Sequence, residues 1–271
     1  MTDKPPMISI ITPVYNCEKF IEFCIENVIG QQYSDIEHII VDGASKDRTV
    51  DIIKQYAAQF SHIRWISEKD QGQSDALNKG IKLAKGKIIG ILNADDFYEP
   101  NTLNCIADMF KALPEPTFLV GNCNIWDNDG YLKYINKPKE LALFKLLLGP
   151  HTYQFPYNPS AYFYHASLHQ AAGLYDVDDH YTMDLDFILR AVQLSTVKYV
   201  DQVWGNFREV EGSKTFDDKS KGLATKRLKE TLKKYEDDLD FLSRMRFRFR
   251  VGMKNIRHLA RKIKYSILPI K

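Results

Sequence analysis

Much that would place a chain quickly is missing from this one. Its four cysteines, Cys17, Cys24, Cys105 and Cys123, are scattered without a CxxC pair. That spacing fits neither a zinc site nor a dense disulfide framework, so reduced, mostly buried thiols are expected, as in a cytosolic protein. No apolar run approaches the roughly 20 residues that a membrane span needs. The start MTDKPPMISI is too short and polar to read as a signal peptide. Glycine is never gathered into GxGxxG after the first strand or into GxxxxGK[ST], which leaves no sign of a dinucleotide fold or a P-loop. Acidic residues are absent from the last stretch: Arg244 to Lys271 holds 10 Lys/Arg and no Asp or Glu, a net of +10. Met1 to Ser243 holds 27 Lys/Arg against 35 Asp/Glu, a net of −8, and the two sum to the overall +2. A mildly acidic body therefore carries a basic tail.

What is present is a globular pattern long enough, at 271 residues, for one full-sized core or a domain and a half. Met7–Tyr15 reads as a buried strand. Glu18–Ile29 carries a helical stripe of Phe20, Ile21, Cys24, Ile25 and Val28. Glu37–Val41 is a second strand, followed by a helix that Asp47 caps, a third strand at Ile63–Ser67 and a third helix at Gln73–Ala84. Strands alternating with helices predict a mostly parallel sheet. After Pro100 the rhythm changes: a helix at Leu103–Leu113, a hairpin from Thr117–Trp126 to Tyr131–Ile135, and a short helix at Leu141–Leu148. A strand at Ala161–His165, a helix at Met183–Leu194, a strand at Val197–Phe207 and a polar loop at 214–222 come before a helical remainder.

The centre of the pattern is Lys87–Pro100, KIIGILNADDFYEP. A continuous apolar run ends abruptly in Asn93, Ala94, Asp95 and Asp96, with Pro100 expected to open a helix. Open α/β sheets place ligands at the carboxyl ends of their strands. Adjacent carboxylates there suit a hard divalent cation shared with substrate phosphates, or Asp96 simply caps the next helix. Thr12-Pro13-Val14-Tyr15-Asn16 and Asp42-Gly43-Ala44-Ser45 end two further strands of the same sheet. Together they offer what a nucleotide needs: Asp42 as acceptor for base or ribose, Pro13 and Tyr15 as a wall, and Asp95 for a metal. With no glycine loop to cradle phosphates, a divalent ion is the plausible neutraliser.

Four ordered segments carry a resemblance: ISIITPVYN (Ile8–Asn16), IIVDGASKDRT (Ile39–Thr49), EKDQGQSDALNKG (Glu68–Gly80) and GKIIGILNADDFYEP (Gly86–Pro100). With GLYDVDDHYTMDLDFILRA (Gly173–Ala191), they make the chain resemble the family 2 glycosyltransferases that build bacterial polysaccharides. The resemblance implies a GT-A fold, that is, an α/β, Rossmann-like sheet flanked by helices. It also implies an inverting mechanism, a nucleotide-sugar donor and a divalent metal, Mn²⁺ or Mg²⁺. Carried over by position, Pro13, Tyr15 and Asp42 would hold the nucleoside, and Asp70 and Gly72 would line the donor site. Asn93-Ala94-Asp95 falls on the family's DxD motif, with Asp95 on the metal. Asn93, standing where the first Asp is expected, goes to the nucleotide; Asp96 assists or caps. Asp184 matches the catalytic base, and Met183 stands where the family often has Glu. Read without the family, Asp184 is a helix N-terminal acid favoured by the dipole. Asp186 points to another face and is expected to meet Arg190 at i+4. Glu211 falls where relatives often carry His, and Lys214 is a candidate phosphate contact.

These readings divide the chain into a catalytic part, 1–211, with a nucleotide-binding half (1–100) and an acceptor-side half (101–211), and a basic helical extension, 212–271. The expected function is transfer of a sugar from a nucleotide-sugar donor, UDP by default, to a glycan or lipid-linked acceptor. A sugar-nucleotidyltransferase or a non-catalytic sugar-nucleotide scaffold are the alternatives. Between Phe249 and Ile267, apolar residues recur at spacings of 4, 3, 4, 3 and 4, with cations off that seam. Such a basic amphipathic helix reads as binding to an anionic membrane surface through 244–271, or as docking on the core or another subunit. No nucleic-acid recognition motif accompanies the charge. The expected location is cytoplasmic, peripheral on the inner face of the membrane. The aromatic segment His151–Tyr164 reads as an acceptor wall, as core, or as both.

Overall fold

A computed structural model describes residues 5–150, 152–213, 216 and 222–251. The first four strands and the helices between them follow the apolar runs. They are β1 (Ile8–Val14), α1 (Ile21–Ile29), β2 (Ile36–Asp42), α2 (Thr49–Gln59), β3 (Ile63–Ser67), α3 (Gln73–Leu83) and β4 (Ile88–Ile91). They pair in parallel in the order β3-β2-β1-β4. β1 and β2 are buried almost throughout, as continuous apolar runs require of strands covered on both faces.

Beyond β4 come β5 (Phe97–Tyr98), α4 (Thr102–Phe110), β6 (Thr117–Trp126), β7 (Leu132–Asn136) and the single-turn α5 (Leu143–Leu146). A 3-10 turn (Pro159–Ala161), β8 (Tyr162–His165), α6 (Leu168–Ala172), α7 (Met183–Leu194), β9 (Thr196–Arg208) and α8 (Ala224–Asp237) follow. β8 lies antiparallel between β4 and β6, and β9 runs parallel to β6 for its whole length. The two-residue β5 pairs with β9 through Phe97–Asn206 and Tyr98–Gly205. That pairing brings the end of β9 to the end of β4. β5 is too short to leave a periodic signal. The helix expected at Pro100 starts at Thr102, after Asn101 takes a left-handed conformation.

The largest core cluster joins β1, β4, β6, β8 and α7 through Ile89, Ile91, Phe118, Tyr162, Tyr164 and Phe187. The aromatic segment contributes to it: Tyr162, Phe163 and Tyr164 are fully buried. Cys17, Cys24, Cys105 and Cys123 are free thiols. Among the described residues no helix is long and apolar enough to cross a membrane.

Candidate active site

The ends of β1, β2 and β4 form one rim, and two loops there are zipped together. Asn16 N–H donates to Ser45 Oγ at 2.8 Å, and Lys46 N–H donates to Asn16 Oδ1 at 2.9 Å. Asn16 and Ala44 both have positive φ, 52° and 62°. For an alanine that is a strained conformation, of the kind that gathers at ligand-binding loops. Pro13 is half-buried and Tyr15 is 56 % exposed beside them, as a wall for a planar group requires.

Asp42 ends β2 fully buried, and its oxygens are already engaged. Ser67 Oγ–H donates to Oδ2 at 2.6 Å, Ser45 N–H donates to Oδ2 at 3.1 Å, and Ser45 Oγ–H donates to Oδ1. Gly43 packs so closely on Asp70 that a Cβ there would lie 2.5 Å from Oδ2 and would push that carboxylate aside. Asp70 Oδ1 accepts from Gly72 N–H at 2.9 Å. Gly72 has φ +115°, and a Cβ on it would come 3.1 Å from Nδ1 of His180. The Asp70–Gly72 turn thus touches the loop before Asp184 through an exposed histidine.

The Asn93–Asp96 turn is a network. Asn93 Nδ2 donates to Asp96 Oδ2 at 3.0 Å, while its Oδ1 accepts from Gln73 Nε2 at 3.0 Å. Asp96 accepts further from Asn158 Nδ2 at 2.8 Å and from Arg208 N–H at 3.3 Å. Asp96 therefore does not cap the following helix. It is the buried hub on which β4, the aromatic segment and β9 converge. Burial, then the neighbouring Asp95, push its carboxyl well above the usual range, against the pull of these donors. Ala94 is buried. Asp95 keeps its side chain outside the network; burial raises its pKa, while its own backbone N–H and Arg208 pull it down. Arg208 Nε donates to Asp95 O at 2.7 Å, and its guanidinium lies 4.7 Å from the Phe23 ring centre and 5.2 Å from that of Phe97. Asn158 and Arg208 had no sequence signal: one is a lone amide among aromatics, the other a lone cation ending a strand.

Among the described residues no three His, Cys, Asp or Glu side chains converge to hold a metal ion. Asn93 is neutral and Asp96 is committed to its donors. Asp95 alone fits a cation, as one carboxylate beside substrate phosphates, the sparse donor set that Mg²⁺-type ions accept.

Asp184 lies in the first turn of α7. Its Oδ1 is buried without a hydrogen-bond partner, and burial, with the charge of Asp179 behind it, pushes its pKa up to about 6. The hydroxyls of Tyr162 and Tyr175 are buried nearby and feel its charge. Phe187, one turn on, packs against Tyr164 and Tyr175 at centroid distances of 4.9 and 5.1 Å. Helix α3 pins the loop before Asp184. Asn78 exchanges two hydrogen bonds with the Tyr175 backbone at 2.8 and 2.9 Å, and Ser74 Oγ–H donates to Asp179 O at 2.8 Å. Met183 is buried with its sulfur 2.8 Å from the same Ser74 hydroxyl, so an acid in its place would meet the core. Asp186 pairs with Arg190 at 2.8 Å as spacing predicted, and it also accepts from Tyr235 of α8 at 2.7 Å. Thr231 of α8 donates to Thr182 at 2.9 Å. Glu211 N–H donates to Asn128 Oδ1 at 3.0 Å, whereas Lys214 and His151 lie outside the described residues.

The family model described as Glycosyl transferase family 2 matches residues 9–163. An Escherichia coli chondroitin synthase is 37 % identical over 128 residues, covering 47 % of this chain and 18 % of that protein. The chain spans only 18 to 63 % of the lengths of the first curated relatives it matches. The crystal structure of Staphylococcus aureus TarS 1–349 in complex with UDP-GlcNAc superposes with a TM-score of 0.59 at 19 % identity, over 76 % of this chain and 60 % of that one. The mannosyltransferase PcManGT from Pyrobaculum calidifontis, in complex with GDP-Man and Mn²⁺, gives a TM-score of 0.54 at 20 % identity, over 78 % and 59 %. At those identities the likeness is one of fold, the GT-A fold. With the family match covering more than half of its length, the chain belongs to glycosyl transferase family 2.

Proposed function

We propose that the chain transfers a sugar from a nucleotide-sugar donor, UDP-linked by preference, to a glycan or lipid-linked acceptor, with inversion in one displacement. The observation that carries this reading is Asp184: a buried carboxylate with a bare oxygen and a pKa of about 6, held at the acceptor side of the donor rim. A general base works best with a pKa near the working pH. In the step, the acceptor hydroxyl oxygen bonds to the anomeric carbon while the bond from that carbon to the diphosphate oxygen breaks. The proton passes to Asp184 and the electron pair leaves with the diphosphate. Tyr15 and Pro13 would wall the base, Asp42 would exchange a serine partner for it, and Asp70, Gly72, Asn93 and Asp96 would shape the pocket floor. Asp95 would hold a Mn²⁺ or Mg²⁺ together with the diphosphate oxygens, where the ion would neutralise the charge of the leaving group. Support for the nucleotide comes from the UDP-GlcNAc and GDP-Man complexes of proteins with the same fold, and for a polymer acceptor from the chondroitin synthase relative.

We take 1–211 as the catalytic part and 212–271 as an extension whose α8 braces α7. A lipid-linked acceptor would put the reaction at the cytoplasmic face of a membrane. Calorimetric titration of UDP, GDP and dTDP, with Mn²⁺ and then with EDTA, tests the donor site. One nucleotide should bind, need the metal, and lose its binding in Asp95→Ala. Folded protein that binds none of the three would overturn the reading in favour of a scaffold.

A further inference from the structure

Residues 241–251 are helical and carry two apolar faces where a surface helix needs one. The inner face docks. Phe247 is buried and Val251 packs on the main core. The Phe247 ring meets that of Phe144 edge-on at 5.6 Å, and Arg250 lies over the same Phe144 ring. The outer face presents Phe241, Leu242, Met245 and Phe249 to solvent, at 74, 63, 57 and 71 % exposure. At about 100° per residue these four share one arc of about 100°. Exposed Arg248 and Arg246 stand at the two borders of that arc. In the sequence the stripe continues at the same spacing through Met253, Ile256, Ala260, Ile263 and Ile267, beyond the described residues.

Whatever covers this face must be apolar and anionic at once. Nucleic acid supplies charge but gives four large apolar side chains nothing to enter. A second copy of the chain would set two rows of arginines against each other, with no acid between Arg244 and Lys271 to separate them. An anionic lipid surface supplies both: acyl chains for the rings, and headgroup phosphates for cations whose apolar stems lie along the boundary.

We propose that the outer face of this helix lies in the headgroup layer of an anionic bilayer, with Phe241, Leu242, Met245 and Phe249 inserted and Arg246 and Arg248 on the lipid phosphates. This deepens the proposed function, on which its biological meaning rests, by naming the surface that would present a lipid-linked acceptor. The binding itself is read independently of catalysis.

The test is flotation of the full chain with vesicles of phosphatidylcholine, and of phosphatidylcholine with about a quarter phosphatidylglycerol. UDP titration on the same preparations reads the donor site separately. The wild type should float with the anionic vesicles about tenfold or more better than with the neutral ones. Phe241→Ser/Met245→Ser/Phe249→Ser should lose about tenfold, and Arg246→Gln/Arg248→Gln should lose the preference for anionic lipid. The substituted side chains are exposed, so circular dichroism and thermal unfolding should match wild type. Equal flotation of wild type and the triple variant overturns the proposal. So does a concentration-dependent dimer, abolished by the triple variant, in a protein that ignores vesicles. Loss of UDP binding with flotation intact would instead fail the donor reading and leave this one standing.

Discussion

The two rims of the site treat their carboxylates in opposite ways. On the donor side Asp42 and Asp96 are wrapped in hydrogen-bond donors, from Ser45 and Ser67 in one case and from Asn93, Asn158 and Arg208 in the other. On the acceptor side Asp184 keeps a buried oxygen with none. A satisfied buried carboxylate fixes geometry, because each donor that it holds would be costly to leave unpaired. A bare one is poorly stabilised as an anion, so it binds a proton readily. Burial raises Asp96 as well as Asp184; the difference is that Asp42 and Asp96 have both oxygens engaged, whereas Asp184 keeps one free, as the proposed base requires.

Substitutions should separate the two kinds. The largest effect is expected in Asp184→Asn, which should lose about 10³-fold or more in the rate of sugar transfer while nucleotide binding, read by calorimetry, stays unchanged. A variant that lost both would erase the contrast. Next comes Asp96→Ala, which strands two amides and a backbone N–H inside the fold. It should cost about 3 kcal/mol in urea unfolding and weaken both rims together.

The pH dependence of transfer should follow Asp184, while Asp96, also raised by burial, adds its own part to the pH dependence of stability. Transfer should rise with pH through a midpoint near 6 and then level off. The folded carboxyl holds its proton more tightly than the unfolded one. Its stabilising contribution is therefore complete below about pH 4 and lost as pH rises through about 6, roughly 2 to 3 kcal/mol in all. That part of the stability slope should be missing in Asp184→Asn. Smaller still, Tyr235→Phe removes the bond from α8 to Asp186 and should cost about 1 kcal/mol, with a lower transfer rate if α8 positions the base. The smallest effect is Ala44→Gly, which relieves a left-handed alanine and should gain about 0.5 kcal/mol.

The donor half was legible in the sequence because it is local. Each strand is a short apolar run, and its polar end follows within a few residues, so Asp42, Asp95 and the three helices could be read from spacing and motif. What escaped was contact between distant segments. Nothing near Asp96 announces Asn158, 62 residues on, or the Arg208 backbone, 112 residues on. The reading of Asp96 as a helix cap was the local answer to a question settled by β5, a strand of two residues. Asp186–Arg190 was predictable at i+4, whereas the grip of Tyr235 on the same aspartate was not. The meeting of His180 with Gly72 is another contact between distant segments that left no local trace.

Helix α3 has a consequence for how such a chain can vary. Its first turn reaches Asn93 through Gln73 and the loop before Asp184 through Ser74, and its middle holds that loop again through Asn78. Under the proposed function it would therefore work as a gauge, holding the acceptor loop in fixed register with the Asn93 turn. One inserted residue would lengthen it by about 1.5 Å and turn Asn78 by about 100° away from Tyr175. If the two rims take donor and acceptor as proposed, loops around them could vary one at a time, while the spacing from Gln73 to Asn78 would have to be kept for every pairing.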